Sequence, residues 1–296
     1  MLLLQVEETG KPGYVKLLLK AHAGEQQTNE LIRKAVDENN FLSADLLASK
    51  FMGELQQILL QCQKEARSDK TKLTVTDDQQ DREWKLKQLR NINGRIKLRR
   101  HGPAIQMDVM HDTPAKKKPS KKFYSVDVVP TIQVLGIDGE EDHYFVAKPV
   151  KGASKLQVEW RRSFSVQEKE HLATLDKDSG CRKQLLRVLK VLRHRDGGLG
   201  VLSSYHLKTV IFRMTDKPGN PDKWKSECLG QRLMDVIEQM EKEAVEGVMP
   251  HYYIPDINLL DGKKPEAIVS LRNRLKNLRN KQGKMMKLLE CKGELC

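Results

Sequence analysis

The segment Ser203-Ser204-Tyr205-His206-Leu207-Lys208-Thr209 starts an apolar run with helical spacing, made of Leu207, Val210, Ile211 and Met214. A serine that caps a helix leaves first-turn N–H groups facing whatever approaches that end. A lysine one turn inside and a tyrosine ring beside it suit a nucleoside triphosphate, with Ser204 and Lys208 near phosphate and Tyr205 against the base. Spacing alone favours a simpler interpretation, a capped helix with its tyrosine in the core, so the rest of the chain must decide.

Length and composition exclude several classes of protein. The chain has 296 residues, a net charge of +13 and no run of 18 apolar residues, so we expect no membrane span. The opening Met-Leu-Leu-Leu is too short for a signal peptide. Five scattered cysteines without a C-x-x-C pair favour a reducing compartment, the cytoplasm or the nucleus, and indicate neither a disulfide framework nor a compact zinc site.

The positive charge is concentrated in one region. Thirteen lysines and arginines lie between Arg82 and Lys122, against three acidic residues. Residues 95–100 (RIKLRR) alternate basic and apolar side chains, as a strand with one wet basic face does, and 116–122 is a lysine-rich loop. Nucleic acid is the commonest partner of such clusters, and a merely solubilising surface is the alternative.

The hydrophobic pattern predicts a small α/β lobe over residues 1–155 and an all-helical lobe over 156–296. Ser43 is expected to cap a long amphipathic helix that ends at Ala66. The predicted strands are Tyr14–His22, Ile92–Arg99, Ala104–Met110, Phe123–Val134 and Tyr144–Val150. The predicted helices of the second lobe are Val166–Leu175, Cys181–Arg195, Ser204–Thr215, Ser226–Glu246 and Pro265–Leu289.

Three further places carry polar side chains that fit either a functional site or an ordinary structural role. Asp127 interrupts an apolar strand. A carboxylate at such a position binds a metal ion, is paired or protonated, or simply faces water, and the same alternatives apply to Asp108. Arg161 and two serines alternate in residues 161–165 and can line one side of an extended segment, while Ser165 and Glu168 also fit a capping box. Lys190 lies on a basic helix, where a solvated face is the simpler interpretation.

Four blocks in a fixed order carry a resemblance to a known family. They are Trp160-Arg161-x-Ser163-Phe164-Ser165-x-x-Glu168-Lys169-Glu170, Cys181-Arg182-Lys183 with Lys190, Ser203–Thr209, and Tyr253-Ile254-Pro255-x-x-Asn258-Leu259. These blocks resemble cyclic GMP–AMP synthase and its relatives, the Mab-twenty-one-type nucleotidyltransferases. The Ala48-Ser49-Lys50 helix, Gly102-Pro103-Ala104 and the Ser125-Val126-Asp127 strand also fit, so the likeness extends over nearly the whole chain.

The resemblance implies an α+β fold: a nucleotidyltransferase core with a mixed β-sheet, a long spine helix and a helical C-terminal lobe, with the active site in the cleft between. It makes Asp127 the catalytic carboxylate that binds Mg²⁺ or Mn²⁺. The implied nucleotide contacts are Arg161, Ser163, Ser165, Glu168 near base or ribose, Lys190 and Ser204 at phosphate, and Tyr205 stacked on a base. The implied surface for double-stranded nucleic acid carries Lys50, Arg95, Lys97, Arg99 and Arg100.

Two departures from the family pattern set further expectations. Only residues 175–180 and Cys181 stand where the founding synthase has a histidine-and-cysteine zinc thumb, so no zinc is expected. The family's Gly-Ser loop and first two carboxylates should precede Met1 and are absent. We therefore expect an incomplete copy of a longer protein, with a naturally inactive form as the alternative.

The function implied by the resemblance is innate immune sensing by an enzyme. Double-stranded RNA or DNA would activate the metal-dependent joining of ATP and GTP, or of two like nucleotides, into a cyclic dinucleotide. A ligand-bridged homodimer is compatible with this function. The alternative is a non-catalytic member of the family that binds nucleotide or nucleic acid.

Overall fold

A computed structural model describes residues 4–20, 30–65, 72–76, 89–90, 95–113, 120–136, 141–148, 158–219 and 221–290. The chain divides into two compact units, Met1–Ser163 and Phe164–Cys296. The predicted boundary at residue 155 lies outside the described residues. The first unit includes the strand Glu159–Ser163, because that strand pairs with two of its strands.

The first unit contains two five-stranded sheets and a long helix. Its strands are β1 (Leu4–Glu8), β2 (Tyr14–Leu19), β3 (Lys72–Thr76), β4 (Leu89–Arg90), β5 (Arg95–His101), β6 (Ala104–Thr113), β7 (Ser120–Val128), β8 (Thr131–Val134), β9 (His143–Val146) and β10 (Glu159–Ser163). One sheet has the order β1-β2-β10-β9-β8 and is antiparallel. The other has the order β4-β3-β5-β6-β7 and is mixed, because β3 runs parallel to β5.

The helices of the first unit are α1 (Glu30–Arg33) and α2 (Ala44–Glu65). Ser43 caps α2 as predicted: its fully buried side chain accepts a hydrogen bond from the Leu46 N–H at 3.3 Å. The described helix reaches Glu65, and its predicted last residue, Ala66, lies outside the described residues. The sequence therefore locates the long helix from its cap and its apolar face.

Trp160 is the centre of the first unit's core. Its indole is fully buried, and its Nε1–H donates to the Leu42 carbonyl at 2.8 Å. The residues that form this core with it are Val15, Leu17, Ala35, Leu42, Ala44, Leu47, Ala48, Phe145 and Ala147. The central strand β10 is thereby joined to the segment that leads into α2.

The second unit is helical and has its own core. Its helices are α3 (Ser165–Thr174), α4 (Arg182–Arg195), α5 (Ser204–Asp216), α6 (Leu229–Glu246), α7 (Pro265–Asn280) and α8 (Gln282–Leu289). Buried leucines, isoleucine and valines at three- and four-residue spacing on α4 to α7 form that core. None of the described helices is long and apolar enough to cross a membrane.

Several predicted elements differ from those observed. The predicted strand Phe123–Val134 is two strands, β7 and β8, separated at Val129 and Pro130, since proline lacks the N–H that a ladder needs. The predicted helix Pro265–Leu289 is two helices, because Lys281 leaves helical geometry with φ −124° and ψ 59°. The predicted strand Tyr144–Val150 is shorter, His143–Val146.

Candidate functional site

The start of α5 is fixed by a reciprocal cap between Ser203 and His206. The Ser203 hydroxyl accepts from the His206 N–H at 3.5 Å, and His206 Nδ1 accepts from the Ser203 N–H at 3.0 Å. This is a capping box in which histidine replaces the usual glutamate or glutamine. It confirms that the helix begins at Ser204, and it presents Ser204 and Tyr205 on the first turn.

The His206 ring is buried and neutral. Its Nε2 lies 3.0 Å from the Leu259 carbonyl, which only accepts, so Nε2 carries the hydrogen and Nδ1 is the acceptor. Burial lowers the pKa of the His206 imidazole, although the bond to Leu259 opposes that shift. His206 was not among the residues predicted for the functional site.

The buried His206 makes stability depend on pH. Because its pKa is lowered in the folded state, the unfolded chain takes up the proton first as pH falls. Stability is therefore complete above the unfolded pKa of about 6.5 and decreases below it, at up to about 1.4 kcal/mol per pH unit. We expect His206→Asn, which keeps an acceptor for the cap, to flatten the wild-type fall in unfolding temperature between pH 7.5 and 5.5. His194→Asn, at an exposed position on α4, is the control, and an equally steep fall in His206→Asn would contradict this prediction.

Tyr205, Lys208 and Glu168 meet on one side of α5. The Lys208 ammonium forms a salt bridge with the Glu168 carboxylate and lies 5.5 Å from the centre of the Tyr205 ring. Both charged side chains are largely buried, at 20% and 15% exposure. A cation and an aromatic face are thus held together beside the start of a helix, and three of the predicted nucleotide contacts lie together.

Aromatic side chains surround this group. The Tyr205 hydroxyl lies 2.8 Å from His251 Nε2, and Phe164 stacks on Tyr253 with centroids 4.5 Å apart and an angle of 8°. Burial, followed by the nearby Glu168 carboxylate, raises the pKa of the Tyr253 phenol to about 12, so this ring stays neutral. Sequence reasoning gave Phe164, His251 and Tyr253 no role; the concentration of aromatic residues in 251–253 was the available signal.

The predicted capping box of Ser165 and Glu168 is wrong. Phe164 is the N-cap residue of α3, no side chain caps this end, and Ser165 is the first helical residue. Glu168 instead pairs with Lys208, forty residues further along the chain. A buried ammonium competes for the carboxylate more strongly than a neutral backbone N–H does.

The other predicted nucleotide contacts lie on α4, on the first turn of α5 and on β10. Lys190 is exposed on α4, in agreement with the solvated face that spacing alone favoured. Ser204 is half-buried on the first turn of α5. Arg161 and Ser163 lie on β10 in the first unit, where Arg161 is paired in register with Tyr14 and Val146.

Asp127 is exposed on β7, which is an edge strand of the mixed sheet. Asp108, on the neighbouring strand, accepts hydrogen bonds from Arg99 and Ser125, each at 2.6 Å. Among the residues that the structure describes, no three histidine, cysteine, aspartate or glutamate side chains are grouped so that they could hold a metal ion. One exposed carboxylate does not fit a divalent ion, which needs several oxygen ligands.

On the basic strand Leu98 is fully buried and Arg99, on the opposite face, is partly exposed, as alternation predicts, whereas Arg100 lies on the same face as Leu98. The two arginines are engaged within the first unit: Arg99 with Asp108, and Arg100 with Asp45 at 2.6 Å. Lys50 is half-buried on α2. The side chains of Arg95 and Lys97, and residues 116–119 of the lysine-rich loop, lie outside the described part.

Comparison with known protein families accounts for both units. The Mab-21 protein nucleotidyltransferase domain matches residues 1–174, and the Mab-21 protein HhH/H2TH-like domain matches residues 181–277. Together the two matches extend over the resembling blocks of the sequence.

Two curated relatives show how far the likeness reaches. Cyclic GMP-AMP synthase-like receptor 3 of Stylophora pistillata is 34% identical over 203 residues, which cover 66% of this chain and 56% of the relative. Protein mab-21-like of Aedes aegypti is 35% identical over 91 residues, which cover 30% of this chain and 25% of the relative. The chain thus spans about half the length, or less, of these curated relatives.

Proposed function

Because the chain belongs to the Mab-21 nucleotidyltransferase family, we propose that it binds nucleoside triphosphates at the start of α5 and serves cyclic dinucleotide synthesis. The single observation that carries this proposal is the group of Tyr205, Lys208 and Glu168 beside a capped helix start. The substrates proposed are ATP and GTP, or two like nucleotides.

Each part of this group has a property that a nucleotide needs. The first-turn N–H groups of α5 and the Lys208 ammonium attract phosphate. The Tyr205 ring offers a face on which a base can stack, and such stacking tolerates different bases. Glu168 holds Lys208 beside that ring, so the cation and the ring are placed in advance of binding.

The proposed reaction joins two nucleotides twice. In each step a ribose hydroxyl oxygen attacks an α-phosphorus, the bond from that phosphorus to pyrophosphate breaks, and the hydroxyl proton is lost to solvent or base. Mg²⁺ or Mn²⁺ is the proposed cofactor. Among the described residues, Asp127 is the carboxylate proposed for its site, and no group of three possible metal ligands occurs there.

A second candidate is a family member that binds nucleotide without turnover. It is favoured by one observation: Asp127 is exposed, and no metal-holding group of three side chains occurs among the described residues. Both candidates share the nucleotide site at α5, so binding alone does not separate them.

The test uses the longest chain that the gene encodes, incubated with ATP, GTP, Mn²⁺ or Mg²⁺, and double-stranded RNA or DNA. Synthesis predicts a dinucleotide product by mass spectrometry that Asp127→Asn abolishes, because Asp127 is the proposed metal carboxylate. Nucleotide binding with no linear or cyclic product would establish the non-catalytic candidate. Absence of both binding and product would contradict the proposed function.

The proposed activator is double-stranded nucleic acid, bound through Lys50, Arg95, Lys97, Arg99 and Arg100, in the cytoplasm or nucleus. The positive cluster in the sequence supports this partner, as does the relative that is called a synthase-like receptor. A ligand-bridged homodimer is part of the same proposal.

Arg100 and Asp45 test the proposed nucleic-acid surface. A phosphate that binds Arg100 competes with the Asp45 carboxylate, which now accepts from Arg100 at 2.6 Å. We expect Arg100→Gln to weaken duplex RNA binding about 3- to 10-fold and to lower the slope of log affinity against log salt by about one. Asp45→Asn, which removes the competing carboxylate, should bind at least as tightly as wild type. Unchanged affinity and slope in Arg100→Gln would count against this surface.

A further inference from the structure

His251 is held by the loop that follows α6. Its backbone N–H donates to the Ile257 carbonyl at 2.8 Å, and its Nδ1 accepts from the N–H groups of Tyr253 and Ile254, both at 3.1 Å. Three hydrogen bonds thus fix the residue, two of them on one ring nitrogen. The N–H groups of Tyr253 and Ile254 therefore set the orientation of the His251 ring.

Asn258 anchors the same loop to its surroundings. Its side-chain oxygen accepts from the N–H groups of Met249 and Leu260 at 2.9 and 3.0 Å, and its Nδ2 donates to the Gly247 carbonyl at 2.9 Å. Gly247 ends α6 in the left-handed conformation, with φ 71°. The loop that carries His251 is therefore tied to the end of a helix.

The bonds at Nδ1 determine the tautomer of His251. A ring nitrogen that accepts two N–H bonds carries no hydrogen, so in the neutral ring the hydrogen is on Nε2. That Nε2 lies 2.8 Å from the Tyr205 hydroxyl oxygen, and the two ring centres are 5.2 Å apart. His251 therefore donates to Tyr205 from a fixed position, forty-six residues away in sequence.

We propose that His251 is a positioning residue that holds the Tyr205 ring, through its hydroxyl, in the place required for stacking on the base. This inference rests on the proposed function and extends it. The phenol oxygen lies on the axis of χ2 rotation, so a fixed donor at that oxygen restrains χ1 and with it the place of the whole ring. The Phe164 ring also packs beside His251, with 5.5 Å between the two ring centres.

Two substitutions separate positioning from a purely structural role. Asparagine puts an amide at the place of Nδ1, so His251→Asn keeps the acceptor for the loop and loses the contact with Tyr205. Glutamine reaches the place of Nε2, so His251→Gln keeps the donor to Tyr205 and loses the loop acceptor. The first variant is expected to fold like wild type, and the second is expected to be less stable.

The experiment measures the dissociation constant of mant-ATP by fluorescence anisotropy, at a temperature where each variant is folded by circular dichroism. We expect His251→Asn to bind roughly 5- to 10-fold more weakly, as for one lost hydrogen bond, and His251→Gln to bind within about twofold of wild type. Tyr205→Phe should match His251→Asn, and the double variant should be no weaker than either single one.

Two results would overturn the inference, and a third concerns the proposed function. If His251→Asn binds like wild type while His251→Gln is weak, His251 is a loop anchor only. If the effects of His251→Asn and Tyr205→Phe multiply in the double variant, the two residues act independently. If Tyr205→Ala itself binds mant-ATP like wild type, the proposed nucleotide site fails as well, so the two failures are distinguishable.

Discussion

Substitution of Tyr205 by alanine should weaken the binding of ATP and GTP by roughly 10- to 100-fold, because a stacked base contributes about 1–3 kcal/mol. The substitution also removes the contact between the Tyr205 ring and the Lys208 ammonium, which lies 5.5 Å from the ring centre. Isothermal titration calorimetry on the folded variant measures the effect. No other substitution of a single uncharged side chain is expected to reduce affinity as much.

Tyr124→Ala is the control for this prediction. Tyr124 is 56% exposed on β7, so its loss should leave nucleotide affinity and stability unchanged. Tyr205→Phe, which keeps the ring and loses the contact with His251, should lose only the roughly 5- to 10-fold expected for that hydrogen bond. Equal affinity of wild type and Tyr205→Ala would show that the ring does not contact the base.

Replacement of Trp160 by alanine should cost about 3–5 kcal/mol in the free energy of unfolding, the largest stability effect that we expect of one substitution. The indole is fully buried at the centre of the first core, and its loss leaves a cavity and an unpaired Leu42 carbonyl. Urea denaturation measures the change.

Trp160→Phe divides this effect into its two parts. Phenylalanine keeps most of the buried area and lacks the indole N–H, so a loss of about 1–3 kcal/mol is expected, part of it from the unpaired carbonyl. A change below about 1 kcal/mol in Trp160→Ala would contradict the central place of this residue.

Local patterns predicted the elements that depend on local physics. The helices α4, α5 and α6 follow from apolar residues at helical spacing, and Ser43 marks the start of α2 because its hydroxyl caps that helix. The start of α5 was likewise predicted at Ser204, although the partner of Ser203 in the cap is a histidine. Such features involve residues within one or two turns of each other.

Contacts between distant residues were not predictable in this way. Glu168 pairs with Lys208 and not with the start of its own helix, and His251 contacts Tyr205 across forty-six residues. Neither hydrophobic period nor capping preference encodes such pairs, because they depend on how helices pack. The resemblance to a family supplied Tyr205 and Glu168 as site residues, but it did not supply His251.

The contacts of charged side chains were the hardest feature to predict from the sequence. Arg99 and Arg100 were predicted to bind nucleic acid, and both are paired with carboxylates, Asp108 nine residues away and Asp45 fifty-five residues away. Asp127 interrupts an apolar strand and is exposed, because β7 lies at the edge of its sheet. The alternation of a strand fixes which residues share a face, but not whether that face is covered.

A crystal structure of the chain with a non-hydrolysable ATP analogue tests the central claim most directly. The account predicts the purine stacked on Tyr205, with the phosphates at the first turn of α5 and within contact of Lys208. A nucleotide bound elsewhere, with the Tyr205 ring uncovered and Lys208 still paired only with Glu168, would contradict it.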